Sequence, residues 1–311
     1  MNGRDWIEAS RFRTLPLAAA CVMVGAAVAY SSAQYNPLAS ERFWPVFAGI
    51  LLTVFGLQVL SNWANDVGDF ENGADGPNRT DRAVASGRIS PKSMQRAVLV
   101  LAILVLFGGS STVVMALHGT ELLTSAIILI LLGILGIVAA YRYTAGKNPY
   151  GYAGLGDAAV FVFFGWVGVA GTALLLSHTW SWTWVLPGTF TGALSVAVLN
   201  LNNMRDFKSD EAAGKRTLVV RMGWDMSKRY QVFCFALAWS AWWLFSLAVE
   251  PGQWRGGMWI FALSLLHLGH LVRVFQTSDP QALDPELKRV ALSTALIALF
   301  LLLAQTQGLA A

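Results

Sequence analysis

The sequence predicts an all-α, multi-pass membrane protein with nine spanning helices, and three observations carry that expectation. The 311 residues are 55% hydrophobic and only 13% charged, with a mean hydropathy of +0.53, whereas a soluble domain carries about a quarter charged residues. The apolar residues are gathered into runs that reach the ~20 residues a helix needs to cross a bilayer. Lysines and arginines fall in alternate gaps between those runs. Helices are the expected form, because backbone groups in lipid must be satisfied within the segment.

In chain order the expected spans are Thr14–Ala33, Pro45–Ala64, Met94–Leu117, Leu122–Tyr143, Ala153–Leu176, Trp182–Leu201, Tyr230–Val249, Met258–Phe275 and Leu287–Gln305. The first resembles a signal peptide, with arginines before an apolar core and "SSAQ" after it, but its length and the spans that follow favour an uncleaved anchor. The fifth and sixth are rich in glycine. Cys21 and Cys234 lie inside apolar runs and read as small buried hydrophobes. His267 and His270 share a helix face and could line a site, with packing or a water contact the expected role.

With nine spans and the N-terminus inside, 20 of the 22 Lys and Arg fall on the inner side, leaving Arg42 and Arg255 outside. That bias places the basic loops in the cytoplasm of a cell (inner) membrane and the C-terminus outside. The net charge of +4 is therefore a matter of topology, and nucleic acid is not an expected partner. The chain is expected to form a single domain over residues 1–311, with two four-helix units at about 14–143 and 153–275 and a ninth helix at about 287–305.

Two acidic stretches stand at span exits. "SNWANDVGDFENGADGPNRTDR" runs from Ser61 to Arg82, and "NLNNMRDFKSDEAAGKRTLVVRMG" from Asn200 to Gly223. If the helices continue, Asp66 and Asp69 share a face, as do Asp206 and Asp210. Asn62, Asn65 and Asn202 precede them by one turn. Converging carboxylates without a positive partner would cost on the order of several kcal/mol. Oxygen ligands with flanking amides and no Cys/His cluster suit Mg²⁺, which keeps waters and recruits phosphate oxygens. Arg79, Arg82 and Lys215, with Arg216, suit an anionic phosphate. A diphosphate head at the lipid edge, with its apolar tail among the helices, accounts for acids placed there. A transporter is the rival from another class, although ion sites in transporters favour the midplane.

At these residues the chain resembles the UbiA superfamily of intramembrane prenyltransferases, from "RFRTLP" (Arg11–Pro16) to the ninth span. "NDVGD" (Asn65–Asp69) matches the first acidic signature and "DFKSD" (Asp206–Asp210) the second. "YTAGKNPYGYAGLGDAAVFVFFG" (Tyr143–Gly165) and "NNMRDFKSDEAAGKRTLVVRMG" (Asn202–Gly223) are similar to members that act on 1,4-dihydroxy-2-naphthoate. The resemblance implies a helical bundle around a central cavity. It implies Mg²⁺ held by Asp66, Asp69, Asp206 and Asp210, and a polyprenyl diphosphate donor, with Tyr143 and Lys147 near the diphosphate. It further implies prenyl transfer to 1,4-dihydroxy-2-naphthoate with loss of diphosphate and CO2, or transfer to another aromatic acceptor such as 4-hydroxybenzoate or homogentisate. Arg11, Arg13 and Lys147 are the candidates for the acceptor carboxylate. The sequence departs from the family at Gly73, where a third acid is common, at Phe12 (often Pro) and at Asp157 (often Glu). Asp75 is thereby left without an assigned role. Phe161, Phe163, Phe164 and Trp166 are candidates to face an allylic cation, with packing expected for at least two of the four.

Overall fold

The computed structural model describes residues 2–32, 41–75, 82–249 and 259–307. Helices account for the regular structure, and no β-strand occurs among the described residues. A short polar helix, α1 (Gly3–Ser10), is capped by the Asn2 side chain and leads through Arg11 into α2 (Leu15–Ser32). Arg11 has φ 47°, a left-handed conformation that a non-glycine residue adopts only where its surroundings demand it. After this elbow α1 lies against the end of α3, where Trp63 donates to Ser10 Oγ at 3.1 Å. Trp6 of α1 then packs edge-on against Trp63, with ring centroids 5.1 Å apart.

α2 is apolar on every side and rich in alanine, so it occupies the middle of the bundle. Small side chains let neighbouring helices approach closely. The helices against it are α7 (Gly168–Ser177) and α13 (Asp284–Gln307), with α3 (Phe43–Glu71) and α8 (Val185–Arg205) completing its surroundings. α4 (Pro91–Leu117) starts with Ser90 as its cap and Pro91 in its first turn. It packs on α3 and on α5 (Leu123–Arg142). Large apolar side chains such as Leu99, Phe107, Leu131 and Leu135 point outward from α4 and α5. A belt of that size on a soluble protein would be an interaction surface; here it is the face for lipid.

Among the described residues, eight helical stretches are long and apolar enough to cross a membrane. The eighth expected span is shorter than the rest. It is a turn at Trp259–Leu263 followed by α12 (Ser264–Gln276), and its expected first residue, Met258, lies outside the described residues. The fifth span has a feature that hydropathy did not predict. Between α6 (Gly156–Val160) and α7, residues Phe161–Val167 form a π-helical segment. Such wide turns are rare and gather at functional sites.

The second acidic stretch corrects a further expectation. α8 ends at Arg205 and Asp206 caps it with φ −91° and ψ 8°. A separate short helix, α9 (Phe207–Ala212), carries Asp210, so Asp206 and Asp210 do not ride one continuous helix. α10 (Leu218–Met222) and α11 (Trp224–Ala248) follow, and α11 packs along α8. His267 and His270 are buried between α11 and α13. His270 bonds Glu286 (2.7 Å) and Gln231 (3.2 Å), and His267 bonds Trp239 and Ser293. This is the packing role expected of the pair.

Candidate active site

The first acidic motif sits on the last two turns of α3. Asp66 and Asp69 are 1% and 2% exposed, which makes their partners decisive. α3 ends in a left-handed turn at Gly73 (φ 71°), where Ala74 N–H bonds back to Asp69 C=O. An L-acid at position 73 would be strained there. The chain instead places Asp75 two residues on, where its Oδ1 lies 3.7 Å from Arg82 Nε. A small core of Ala9, Val67, Ala83, Val84, Ile89 and Met94 holds the segment after residue 82 against α3. Through it Val84 N–H reaches Asp66 Oδ2 at 3.4 Å.

Asp69 collects partners from three other segments. Lys215 Nζ is 2.9 Å from Oδ1, Tyr152 donates its hydroxyl to the same oxygen at 2.8 Å, and Arg82 Nη2 approaches Oδ2 at 3.5 Å. Lys215 also lies 3.6 Å from Asp210 Oδ1 and over the Tyr152 ring at 4.9 Å. Arg216 N–H bonds Tyr152 C=O, which ties the two loops together and brings Lys215 to Asp69. Burial and then the neighbouring Asp69 charge push the Tyr152 hydroxyl far above its usual range. Burial pushes Asp210 up to about 6; Lys215 opposes this, while Asp206 and Asp69 add to it. Burial alone would lower the Lys215 ammonium, but Asp69 and Asp210 outweigh it and raise it.

Asp206 is engaged differently. Arg205 grips both of its oxygens, Nε to Oδ1 at 3.0 Å and Nη2 to Oδ2 at 2.8 Å, and Nη2 also reaches Asn202 Oδ1 at 2.9 Å. Cations thus pair with three of the four acids, Asp69, Asp206 and Asp210, while Asp66 accepts the Val84 N–H. No group of three or more His, Cys, Asp or Glu side chains is close enough to hold one metal ion among the described residues. The donor set nevertheless fits a hard cation. Asp66 Oδ1 is buried with no hydrogen-bond partner, and the remaining ligands are carboxylate and amide oxygens. Arg82 Nε and Nη1 are also buried without a hydrogen bond, spare donors of the kind a phosphate oxygen accepts.

Beside this cluster lies a cavity of about 480 Å³. Its wall is mainly apolar, with Leu17, Val54, Leu57, Val105, Phe163 and Phe164 among the lining residues. Asn62, Asn65, Tyr143 and Asn202 line it too, while the four aspartates are not among its lining residues. Asn62 also donates to Ser10 C=O (2.9 Å) and Asn65 accepts from Thr144 (2.9 Å), so both are held by the fold. Arg11 lines the cavity, and its charge acts on Asp66 and Asp69. Lys147 is exposed, makes no ion pair among the described residues and does not line the cavity; the glycine-rich turn carries it outward. Arg79 lies outside the described residues. Phe161 packs edge-on against Trp166, which bonds Thr189, leaving Phe163 and Phe164 as the two aromatics of the four that reach the cavity. Asp157 is buried in the first turn of α6.

The model of the UbiA prenyltransferase family matches residues 18–296. The chain belongs to this family. Among relatives of the UbiA chain, the 1,4-dihydroxy-2-naphthoate octaprenyltransferase of Escherichia coli (strain K12) is 39% identical over 287 residues, 91% of this chain and 89% of its own. The Haemophilus influenzae protein of that name is 37% identical over 294 residues, 94% and 92% of the two chains. A UbiA homolog from Archaeoglobus fulgidus superposes with a TM-score of 0.64 at 16% identity, covering 96% of this chain and 99% of its own. Its form bound to GPP and Mg²⁺ gives 0.58 at 16%, covering 94% and 99%. At that identity the likeness establishes the fold.

Tyr152, Arg205 and Asp284 were not singled out from the sequence. Tyr152 lies inside the Tyr143–Gly165 stretch, and Arg205 adjoins Asp206, so position alone was an available signal for both. Asp284 offered none.

Proposed function

We propose that this multi-pass membrane enzyme transfers a polyprenyl group from a polyprenyl diphosphate to 1,4-dihydroxy-2-naphthoate, releasing diphosphate and CO2. One observation carries the reading: an apolar cavity lined also by Asn62, Asn65, Tyr143, Asn202 and Arg205, the last of which grips Asp206 of the second acidic motif. The relatives' shared name, over about nine-tenths of both chains, supports the naphthoate as acceptor.

Asp66, Asp69, Asp206 and Asp210 are the residues that would hold Mg²⁺. When bound, the ion supplies positive charge against the departing diphosphate. Arg82 and Lys215 bind the diphosphate oxygens, and Tyr152 keeps Lys215 and Asp69 in register. The apolar wall excludes water from the allylic centre, with Phe163 and Phe164 offering their ring faces. The allylic C–O bond breaks and its electron pair leaves with diphosphate. The ring supplies the pair for the new C–C bond, and loss of CO2 returns a pair to the ring. This balance needs no oxidant. The basic end of the bundle, which holds the site, faces the cytoplasm of the inner membrane.

The test is incubation of the purified protein with Mg²⁺, a polyprenyl diphosphate and carboxyl-labelled 1,4-dihydroxy-2-naphthoate. One labelled CO2 is expected per prenyl group transferred, with 4-hydroxybenzoate left largely untouched. A product that keeps its label, or faster turnover of 4-hydroxybenzoate, overturns the acceptor assignment.

A further inference from the structure

At the mouth of the cavity, where α8 meets the start of α13, one carboxylate sits between two arginines. Arg205 uses Nε and Nη2 on Asp206 and Asn202. Its remaining terminal nitrogen, Nη1, donates to Asp284 Oδ1 at 2.9 Å. Arg13 Nη1 stands 3.6 Å from that same oxygen. Lys288 lies one turn beyond Asp284 on α13, exposed and without an ion pair among the described residues. Arg13, Arg205, Asp284 and Lys288 all line the cavity, together with Asn62 and Asn202. The turn before α13 is anchored by the fully buried Leu283, and Gln281 reaches Arg205 C=O at 3.4 Å. The fold therefore holds these groups at one spot.

Asp284 differs from the motif acids in its exposure. Its side chain is 49% exposed, against 3% for Asp69 and 14% for Asp206. A carboxylate half in water gains little from its ion pair and gives it up at small cost. An incoming carboxylate would restore the same N–H···O contacts to a planar guanidinium. Three cations around one exchangeable acid leave a net positive site once that acid swings into solvent. The site is separate from the Arg82–Lys215 pole that faces Asp69 and Asp210.

We infer that Arg13, Arg205 and Lys288 form the receptor for the carboxylate of the aromatic acceptor, and that Asp284 occupies it as an internal stand-in which the acceptor displaces. The inference rests on the acceptor reading given above. It makes Arg13, Arg205 and Lys288 binding residues, and it makes Asp284 a competitor of substrate. Lys147, expected from the sequence as a candidate for this carboxylate, has no part in it.

The test uses the purified full chain in lipid nanodiscs, without metal or prenyl donor, and two probes: 1-hydroxy-2-naphthoate and the carboxylate-free 1,4-dihydroxynaphthalene. Arg13→Gln and Lys288→Gln should each weaken binding of the naphthoate roughly tenfold, the scale of one lost contact between charged groups. Asp284→Asn should tighten it several-fold, on the scale of a half-exposed ion pair removed from competition. None of the three should alter binding of the diol, and in turnover assays only the acceptor KM should move. All three residues are exposed, so these variants should fold. Equal shifts for both probes, a shift in the donor KM in place of the acceptor KM, or weaker naphthoate binding by Asp284→Asn overturns the receptor. Wild-type protein that releases no CO2 from 1,4-dihydroxy-2-naphthoate overturns the acceptor reading itself. Normal wild-type turnover with unmoved acceptor binding in the variants overturns the receptor alone.

Discussion

Asp69 draws contacts from residues 13, 83 and 146 positions away in the chain: Arg82, Tyr152 and Lys215. Replacing it with Asn keeps its shape and removes the charge on which all three depend. Asp69→Asn is expected to lower turnover about a hundredfold or more, the sum of one or two charge-assisted contacts, while membrane insertion stays normal. Tyr152→Phe removes the hydroxyl but leaves the ring beneath Lys215, so its loss should be roughly tenfold. Steady-state assays on the two variants check this, and wild-type turnover by Asp69→Asn would remove it from the reaction. Asp210 makes a separate prediction about pH. Its folded pKa of about 6 lies above the ordinary value of 3.8, so between those values the folded state binds more protons than the unfolded one. Stability of the chelator-treated protein should therefore fall as pH rises from about 4 to 6. Thermal unfolding across that range should show the slope in wild type, and Asp210→Asn should flatten it.

At the scale of elements, the approach of α3 to the loop after α5 is what carries Asp69 to its partners. Gly68 allows it: a Cβ there would stand 2.8 Å from both the carbonyl carbon and the oxygen of Thr144. Thr144 in turn donates to Asn65, and Asn72 donates to Thr144 C=O at 2.8 Å. Helix propensity alone would favour Ala over Gly by about 1 kcal/mol. Gly68→Ala is expected to do the opposite, lowering both thermal stability and turnover, because backbone must move. A gain in stability with unchanged turnover would show that the contact does not set the site. The π-helical segment acts at the same scale. It follows α6 directly, and of its aromatics Phe163 and Phe164 line the cavity while Phe161 and Trp166 pack against each other. A hydropathy plot carries no sign of that turn.

For the whole molecule, the loops bearing the acidic motifs and the opposite ends of the helices should report different sides of the membrane. Cys21 and Cys234 are buried, so a wild-type background should label poorly. Cysteines at the exposed positions Lys147 and Ser209 should react with an impermeant reagent only from the cytoplasmic side. Cysteines at the exposed Glu121 and Trp182 should react only from the other side. If Lys147 and Ser209 report opposite sides, the orientation inferred from the basic residues fails.

By itself, the sequence determined that the chain is a helical membrane bundle, which of its ends is basic, and where along it the two acidic motifs lie. Those properties depend on hydropathy over ~20 residues and on the period of one helix, both local. The family resemblance was legible for the same reason, since its motifs are contiguous. The tertiary structure decided the pairing. It broke the second motif at Asp206, turned Lys147 outward and set Lys215 between Asp69 and Asp210. It also brought Asp284 from the start of the last helix to Arg205 and to Arg13 near the chain's beginning. No local pattern encodes such contacts, because they depend on how closely α2, α8 and α13 pack, and that is set by side-chain volume across helices far apart in the chain.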